Sequence, residues 1–436
     1  MLSSAKARRL FSLLVFFVIL STGYLFIELY KSPSPNIFKI RKRGKHINRR
    51  NTELEDSNSS LNMSEKPQRE KKLILLYTKF FKGPWYLRWN RDYSWHVPWC
   101  TFSYNKSLIH QANAVAFQDA DMPNEFPNRT RQDQLWIYHC MESPIHSKTR
   151  GKRYNGIFNW TMTYRVDSDV YTPYGNFIPL ECKEVLREVK SKISYAARKT
   201  QLIAWIVSGC RAPSGRTEYA RKFAEYLPIH IFGKWGNLTC PKGKGEIFLA
   251  EECKSQLRRH KFYLAFENSL CEDYITEKYW KNALQNGLVP IVLGGGADYR
   301  KLAIPGSYID VKDFQTVKQL AKYIEYLDKN DTAYNEYFEW KKKYKLESPA
   351  HLYGCALCTA LHSDKRNMYK VYEDFDEYWH RDKCYGRVEI KWFCVVLGQW
   401  GSETQNFGFI IWVDKVIWPP YEGGQFTLST QLINPK

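Results

Sequence analysis

The chain has 436 residues, 44% of them apolar, 16% aromatic and 25% charged, with a net charge of +20. This is a globular composition, long enough for two or three domains, and it excludes disordered, collagenous and multi-span membrane classes. The basic balance suits anionic small molecules; no zinc-finger spacing, basic zipper or aromatic RNA-binding strand turns it toward nucleic acid.

Residues 1–9 form a short basic tail. From Leu10 to Ile27 no residue is charged. As a helix this run spans about 27 Å, close to a bilayer core. Without a small-x-small cleavage site behind it, the run reads as a single transmembrane signal-anchor rather than a cleaved signal peptide. The cations beyond it, from Lys31 to Lys45, would by themselves put the body in the cytosol. All 11 cysteines lie after the anchor, as do seven Asn-x-Ser/Thr sequons (Asn58, Asn62, Asn105, Asn128, Asn159, Asn237 and Asn330), and both favour an oxidising lumen. The expectation is a type II orientation with the body lumenal. Residues 28–71 are polar and poor in aromatics and read as a solvated stem.

From Leu73 the pattern becomes that of a packed body. Leu73–Tyr77, Asn113–Phe117 and Leu135–His139 are short β-prone runs. Residues 184–199 carry helical periodicity and read as a linker helix. Strands are predicted at 202–208, 229–232, 262–266, 289–293 and 307–311. Helices are predicted at 216–227, 276–286 and 316–328; in the last, Val317, Leu320, Ala321, Ile324 and Leu327 share one face. Alternating strand and helix predicts an α/β fold with parallel, doubly wound sheets. The expectation is two facing Rossmann-like domains, 72–199 and 200–389, with a cleft between them. Residues 390–436 stand apart as an atypical tail. Their two β-prone runs are either an added hairpin or sequence foreign to the protein, and an even ten cysteines without Cys394 leans to the second.

The densest chemical run is Phe266–Lys278, FENSLCEDYITEK, between a strand and a helix with Thr276 as a reasonable N-cap. Lys278 then falls in the first helical turn, where a cation opposes the macrodipole unless an anion binds there. The arrangement suits a diphosphate. Other patterns are cheaper. Asp167-Ser168-Asp169 could ligate a metal, but Asp119-Ala120-Asp121 repeats the pattern and pairing with Arg165 is the simpler role. Gly294-Gly295-Gly296 reads first as a turn, Cys355-x-x-Cys358 as structural disulfide cysteines, and the Trp-rich stretch 84–100 equally as core or sugar-contacting surface.

FENS…DYITEK resembles the signature of the α1,3-fucosyltransferases that use GDP-fucose. The resemblance covers about residues 73–388 and includes MESP (141–144), NWTMTYRVDSDVYTPYG (159–175), WIVSGCRAPSGR (205–216), HIFGKWG (230–236), GLVPIVLGG (287–295), YIDVKDF (308–314), NEYFEWKKKY (335–344) and CALC (355–358). It implies a GT-B fold with the acceptor chiefly on the N-terminal domain and GDP-fucose in the C-terminal one. It also implies a Golgi membrane protein held through residues 10–27. Transfer of L-fucose to the 3-OH of GlcNAc in N-glycans, core or antennal, with inversion, is the implied reaction. A non-catalytic lumenal homologue that binds sugar nucleotide or glycan is the alternative. By the resemblance Glu142 is the general base, Arg216 and Lys278 hold the donor diphosphate, and Asn268, Tyr274 and Glu277 hold the donor's sugar portions. No metal site and no required cofactor are implied, with stimulation by Mn²⁺ through free GDP. Cys271 and Glu272 depart from the family in the variable centre of the signature, and Gln118 stands where many members have His.

Because anchor and stem lie outside the packed body, removing residues 1–60 is expected to yield a secreted, active protein. A folded, secreted truncation with no activity would refute that division.

Overall fold

The computed structural model describes residues 70–85, 99–190, 193–209, 211–234, 236–241, 249–294, 296–347, 352–364, 370–400 and 407–417. The anchor 10–27, nearly all of the stem and most of the Trp-rich stretch lie outside them. Among the described residues no helix is long and apolar enough to cross a membrane.

Two parallel sheets dominate. The first contains β1 (Lys72–Leu76), β2 (Cys100–Ser103), β3 (Ala114–Gln118), β4 (Leu135–Cys140), β5 (Trp160–Thr163) and β6 (Val170–Tyr171) in the order β2-β1-β3-β4-β5-β6. Val115 lies opposite Leu75 on one side and Trp136 on the other. Strands β3, β4 and β5 are buried at every position. Strands covered on both faces read as unbroken apolar runs, which is why β3 and β4 were visible in the sequence. β2, β5 and β6 carry Thr, Ser and Tyr beside their apolar residues and gave no such signal.

A short strand β7 (Asn176–Pro179) leads to the second sheet, of β8 (Gln201–Ile206), β9 (Ile229–Phe232), β10 (His260–Phe266), β11 (Val289–Leu293) and β12 (Ile309–Asp310), ordered β12-β11-β10-β8-β9. After β8 the chain turns to β9 on one side, then crosses to β10 on the other. The order therefore reverses between β8 and β10, the kind of switch point beyond whose strand ends α/β sheets bind ligands. Helix Val317–Lys329 buries the expected face and starts with a Thr316–Gln319 capping box.

The linker helix is shorter than the periodicity predicts, running over Cys182–Lys190. Beyond it, the Tyr195 and Ala196 N–H groups donate to Asn335 Oδ1 at 2.8 and 3.2 Å. The Tyr195 ring stacks on Phe338 at 4.3 Å. These contacts hold that stretch in place of further helical turns.

After the second sheet the chain pairs β13 (Tyr344–Glu347) with β7 and returns to the first core. Helices Leu352–Leu361 and Phe375–Trp379 pack there, with Phe375 and Trp379 against Tyr138 at 4.7 and 5.3 Å. The Cys100–Cys358 disulfide ties the first of them to β2. The tail forms a hairpin of β14 (Glu389–Trp400) and β15 (Phe407–Ile417). Val388 and Val416 at its base are buried in the second core, and Val416 N–H donates to Gln315 O at 3.2 Å.

Leu264 in β10 is fully buried between these layers. Leu264→Ala is expected to cost about 2–5 kcal/mol in urea unfolding, and a loss below about 1 kcal/mol would contradict a packed central strand.

Candidate functional site

Three loops at the carboxyl ends of strands carry the candidate residues: 141–150 after β4, 207–215 after β8, and 267–277 after β10. The first is pinned from below. Asp119, at the end of β3, accepts from the backbone N–H of Lys148 (2.8 Å) and Thr149 (2.9 Å) and from the Tyr138 hydroxyl (3.1 Å). Trp379 Nε1 donates to Ser147 Oγ at 3.0 Å, and the Tyr174 hydroxyl donates to Met141 O. Glu142, two residues past β4, is thus half-buried on a braced loop.

Arg216 opens the helix Arg216–Phe223 and is 6% exposed. Its Nη1 donates to Phe266 O at 2.9 Å and its Nη2 to Gly209 O at 3.3 Å, while Nε has no partner among the described residues. Gly215 before it has φ 78°, and a Cβ there would meet Val388 O at 2.3 Å, so only glycine fits. Ser214 joins this loop to the next, with Oγ to Glu267 O at 2.7 Å and N–H to Asn268 O at 3.2 Å.

The FENS…DYITEK loop is organised by a residue that the sequence reading passed over. Glu267 is 1% exposed. It accepts from Thr276 N–H at 2.8 Å and from the Thr276 hydroxyl at 2.9–3.0 Å, and it lies 3.0 Å from Lys278 Nζ. Lys278 Nζ also reaches Glu277 at 3.1 Å and Thr276 Oγ1 at 2.8 Å. A glutamate at a strand end, two residues before a serine, has no local mark of this role; only folding brings it under Lys278.

One local expectation holds in part and one is corrected here. The helix is counted from Lys278 with Glu277 before it, yet Thr276 keeps part of the capping role: its Oγ1 accepts from Lys278 N–H at 3.5 Å and its carbonyl from Trp280 N–H at 3.4 Å, while its hydroxyl and N–H donate to Glu267. That helix is a six-residue π-helix, Lys278–Ala283, followed by a 3₁₀ turn at Leu284–Asn286, rather than an α-helix over 276–286. Lys278 therefore meets its compensating charge in Glu267 and Glu277 and does not need a bound anion to offset the helix dipole.

The structure brings Glu142, Arg216, Asn268, Tyr274, Glu277 and Lys278 to one place. Burial pushes the Glu142 carboxyl above its ordinary value and Glu277 adds to the rise, while Lys278 and a hydrogen bond from Tyr274 pull against it. Burial would lower Lys278, yet the carboxylates of Glu267 and Glu277 outweigh it and hold the ammonium above its ordinary value. Desolvation would raise Glu277, and the Lys278 ammonium outweighs it. Burial lowers Arg216, with Glu267 opposing. Tyr274 is buried, its ring 4.9 Å from Tyr164. Asn268 is half-buried and accepts from Ser269 Oγ at 3.4 Å; Ser269 Oγ in turn accepts from Ser143 Oγ at 2.9 Å, which joins the Glu142 loop to the Lys278 loop.

The remaining motifs take structural roles. Asp167 pairs with Arg165. Asp169 lies 2.7 Å from Lys370 Nζ and accepts from Tyr372 OH and Thr161 N–H, each at 2.8 Å. Gly294 packs under the Tyr299 ring and Gly296 against the Cys271 backbone, both too close for a Cβ. Cys358 bonds to Cys100 rather than to Cys355, which is exposed, so the CxxC is neither a redox pair nor a zinc half-site. Gln118 is buried at the end of β3, its carbonyl oxygen accepting from Ala120 N–H at 2.8 Å.

The matches to known proteins agree with this layout. Residues 69–175 fit the family model "Fucosyltransferase, N-terminal" and residues 196–379 fit "Glycosyltransferase family 10 (fucosyltransferase) C-term". The chain is 34% identical over 315 residues to glycoprotein 3-alpha-L-fucosyltransferase A of Drosophila melanogaster, covering 71% of this chain and 60% of that one. It is 36% identical over 307 residues to 4-galactosyl-N-acetylglucosaminide 3-alpha-L-fucosyltransferase FUT6 of Gorilla gorilla gorilla, covering 69% and 81%. A crystal structure of an alpha1,3-fucosyltransferase with GDP is 16% identical with a TM-score of 0.42, covering 72% of this chain and 96% of that one. The chain belongs to glycosyltransferase family 10, the fucosyltransferases.

Lys278→Ala and Arg216→Ala are each expected to raise the donor KM and lower turnover, by roughly 10²–10³-fold in kcat/KM. Steady-state kinetics close to wild type would remove that residue from the donor site.

Proposed function

We propose that the chain transfers L-fucose from GDP-fucose to the 3-OH of GlcNAc in N-glycans of glycoproteins, with inversion at fucose C1. The observation that carries this is the meeting of Glu142, on a first-sheet loop, with Arg216 and Lys278, on second-sheet loops, in one electrostatic neighbourhood. Inverting displacement needs one base on the attacking side and charge stabilisation on the leaving side. Glu142 takes the proton of the acceptor hydroxyl as its oxygen attacks C1. Its raised carboxyl makes it a stronger base than an ordinary glutamate. Lys278 and Arg216 face the charge that develops on the departing GDP. Asn268, Tyr274 and Glu277 hold the sugar portions of the donor.

In this reading the two sheets are the halves of a GT-B enzyme, with residues 72–199 on the acceptor side and 200–389 holding GDP-fucose. The protein is a single-pass type II protein of the Golgi membrane, held through residues 10–27 with its body in the lumen, which the three disulfides among the described residues suit. Its partners are GDP-fucose and N-glycan acceptors. The catalytic reading stands above a glycan-binding homologue without turnover because the base and both donor cations share one braced site.

Incubation with GDP-fucose and a panel of N-glycans, with the linkage mapped by mass spectrometry, is expected to give α1,3-linked fucose on core or antennal GlcNAc. Glu142→Gln is expected to leave GDP binding intact and cut turnover by roughly 10²–10⁴-fold. The wild-type acid limb should lie above the ordinary glutamate range, rate being lost as pH falls through the raised value. More than about a tenth of wild-type turnover in Glu142→Gln would exclude it as the general base. EDTA is expected to spare activity, with Mn²⁺ stimulating through free GDP. Full inactivation by EDTA, restored by Mn²⁺, would instead assign Asp167 and Asp169 to a metal.

A further inference from the structure

The segment Lys383–Val388 touches both loops that carry the donor residues. Lys383 O accepts from Glu272 N–H at 2.8 Å, and Tyr385 N–H donates to Leu270 O at 2.7 Å, so the segment runs beside the Asn268–Tyr274 stretch. Between those two bonds Cys384 is disulfide-bonded to Cys271, which is 1% exposed. Farther along, Val388 N–H donates to Ser214 O at 3.0 Å, and Val388 O sits against Gly215, next to Arg216. Two ion pairs repeat the pattern at the ends, Lys383 with Glu272 at 3.3 Å and Arg387 with Glu218 at 3.4 Å. Gly296, whose Cβ would lie 2.6 Å from the Cys271 carbonyl carbon and 2.7 Å from the Tyr385 ring, lets the segment seat fully.

We propose that Lys383–Val388, closed by the Cys271–Cys384 disulfide, is a positioning strap that sets the spacing between the Arg216 loop and the Tyr274–Lys278 loop, and so the affinity for the nucleoside diphosphate. The proposal rests on the donor reading given above. Neither cysteine touches substrate. Each acts through the backbone it fixes: Cys271 stands three residues before Tyr274, and the strap ends on the residue that forces Gly215. Cys271, a departure from the family signature, has its counterpart in Cys384 of the same chain. The strap also explains why the chain returns past the donor loops before entering the hairpin at Glu389.

The test compares the wild-type chain with the Cys271→Ser/Cys384→Ser double variant and with Cys240→Ser/Cys253→Ser, which removes a disulfide outside the strap. The strap variant is expected to show a roughly tenfold rise in KM for GDP-fucose with kcat within about twofold, the pattern of lost uniform binding, and an unchanged acceptor KM. A purely structural disulfide would instead lower the active fraction and the Tm while leaving KM in place, as expected for the control. Should the strap variant fail to fold, the wild-type chain is treated with a water-soluble phosphine. The phosphine reduces each disulfide to two thiols and becomes its oxide, taking oxygen and protons from water. Alkylated peptides are then counted by mass spectrometry, and saturating GDP is expected to slow labelling of Cys271 and Cys384 but not of Cys240 and Cys253. Calorimetry of GDP with the wild-type chain separates the two readings. No GDP binding overturns the donor reading and the strap with it. GDP that binds while the donor KM of the strap variant stays at wild type, or while labelling of Cys271 and Cys384 ignores GDP, overturns the strap alone.

Discussion

A lysine ammonium removed from water has to be paired, and in this protein the pairing of Lys278 organises everything around it. Glu267 and Glu277 flank its nitrogen at 3.0 and 3.1 Å. Glu267 is itself nearly sealed from solvent, and its remaining valences go to Thr276. Taking the lysine away would strand the buried Glu267 anion. The loop after β10 therefore has few conformations in which its charges are all satisfied. Its backbone in turn fixes Arg216 through Phe266 O and Ser214 through Glu267 O.

The other side of the site is built by a different device. Glu142 is not held by a strong counter-ion, and its elevated carboxyl follows from burial and from the like charge of Glu277. Its position comes from the backbone of its loop, which Asp119 and Trp379 grip at Lys148, Thr149 and Ser147. Its carboxyl thus combines a fixed backbone with weak ionic compensation. The cations opposite are held by their own carboxylates, Lys278 by Glu267 and Glu277 and Arg216 beside Glu267. The Ser143–Ser269 hydrogen bond joins the two loops and so the two kinds of environment.

Legibility followed burial and periodicity. β3, β4, β10 and β11 lie in parallel sheets, covered on both faces, and their apolar runs stood out. The Val317–Lys329 helix carried its own cap and its own stripe. Where tertiary contacts compete with local preference, the sequence misled. Tyr195 and Ala196 left the helical pattern for Asn335 and Phe338, and the helix expected over 276–286 became a π-helix at Lys278–Ala283 and a 3₁₀ turn. The candidate site residues were named through the resemblance of several runs to the fucosyltransferase signature, and the family 10 models match the same stretches. Glu267 was not, because its role depends on a lysine eleven positions away that only the turn brings back.

By itself the sequence determined that the chain builds an α/β body on parallel strands, since apolar runs of strand length alternating with amphipathic helices admit few other solutions. Through its resemblance to the fucosyltransferases it also pointed to the short runs that meet at the candidate site. The tertiary structure alone decided how charge is shared among those runs, which cysteines bond, and that the helices Leu352–Leu361 and Phe375–Trp379 pack back onto the first sheet. The physical reason is one of range. Strand and helix signals are written in neighbouring residues. The pairing of Lys278 with Glu267, of Cys271 with Cys384 and of Tyr138 with Trp379 depends on distances set only after both sheets have formed.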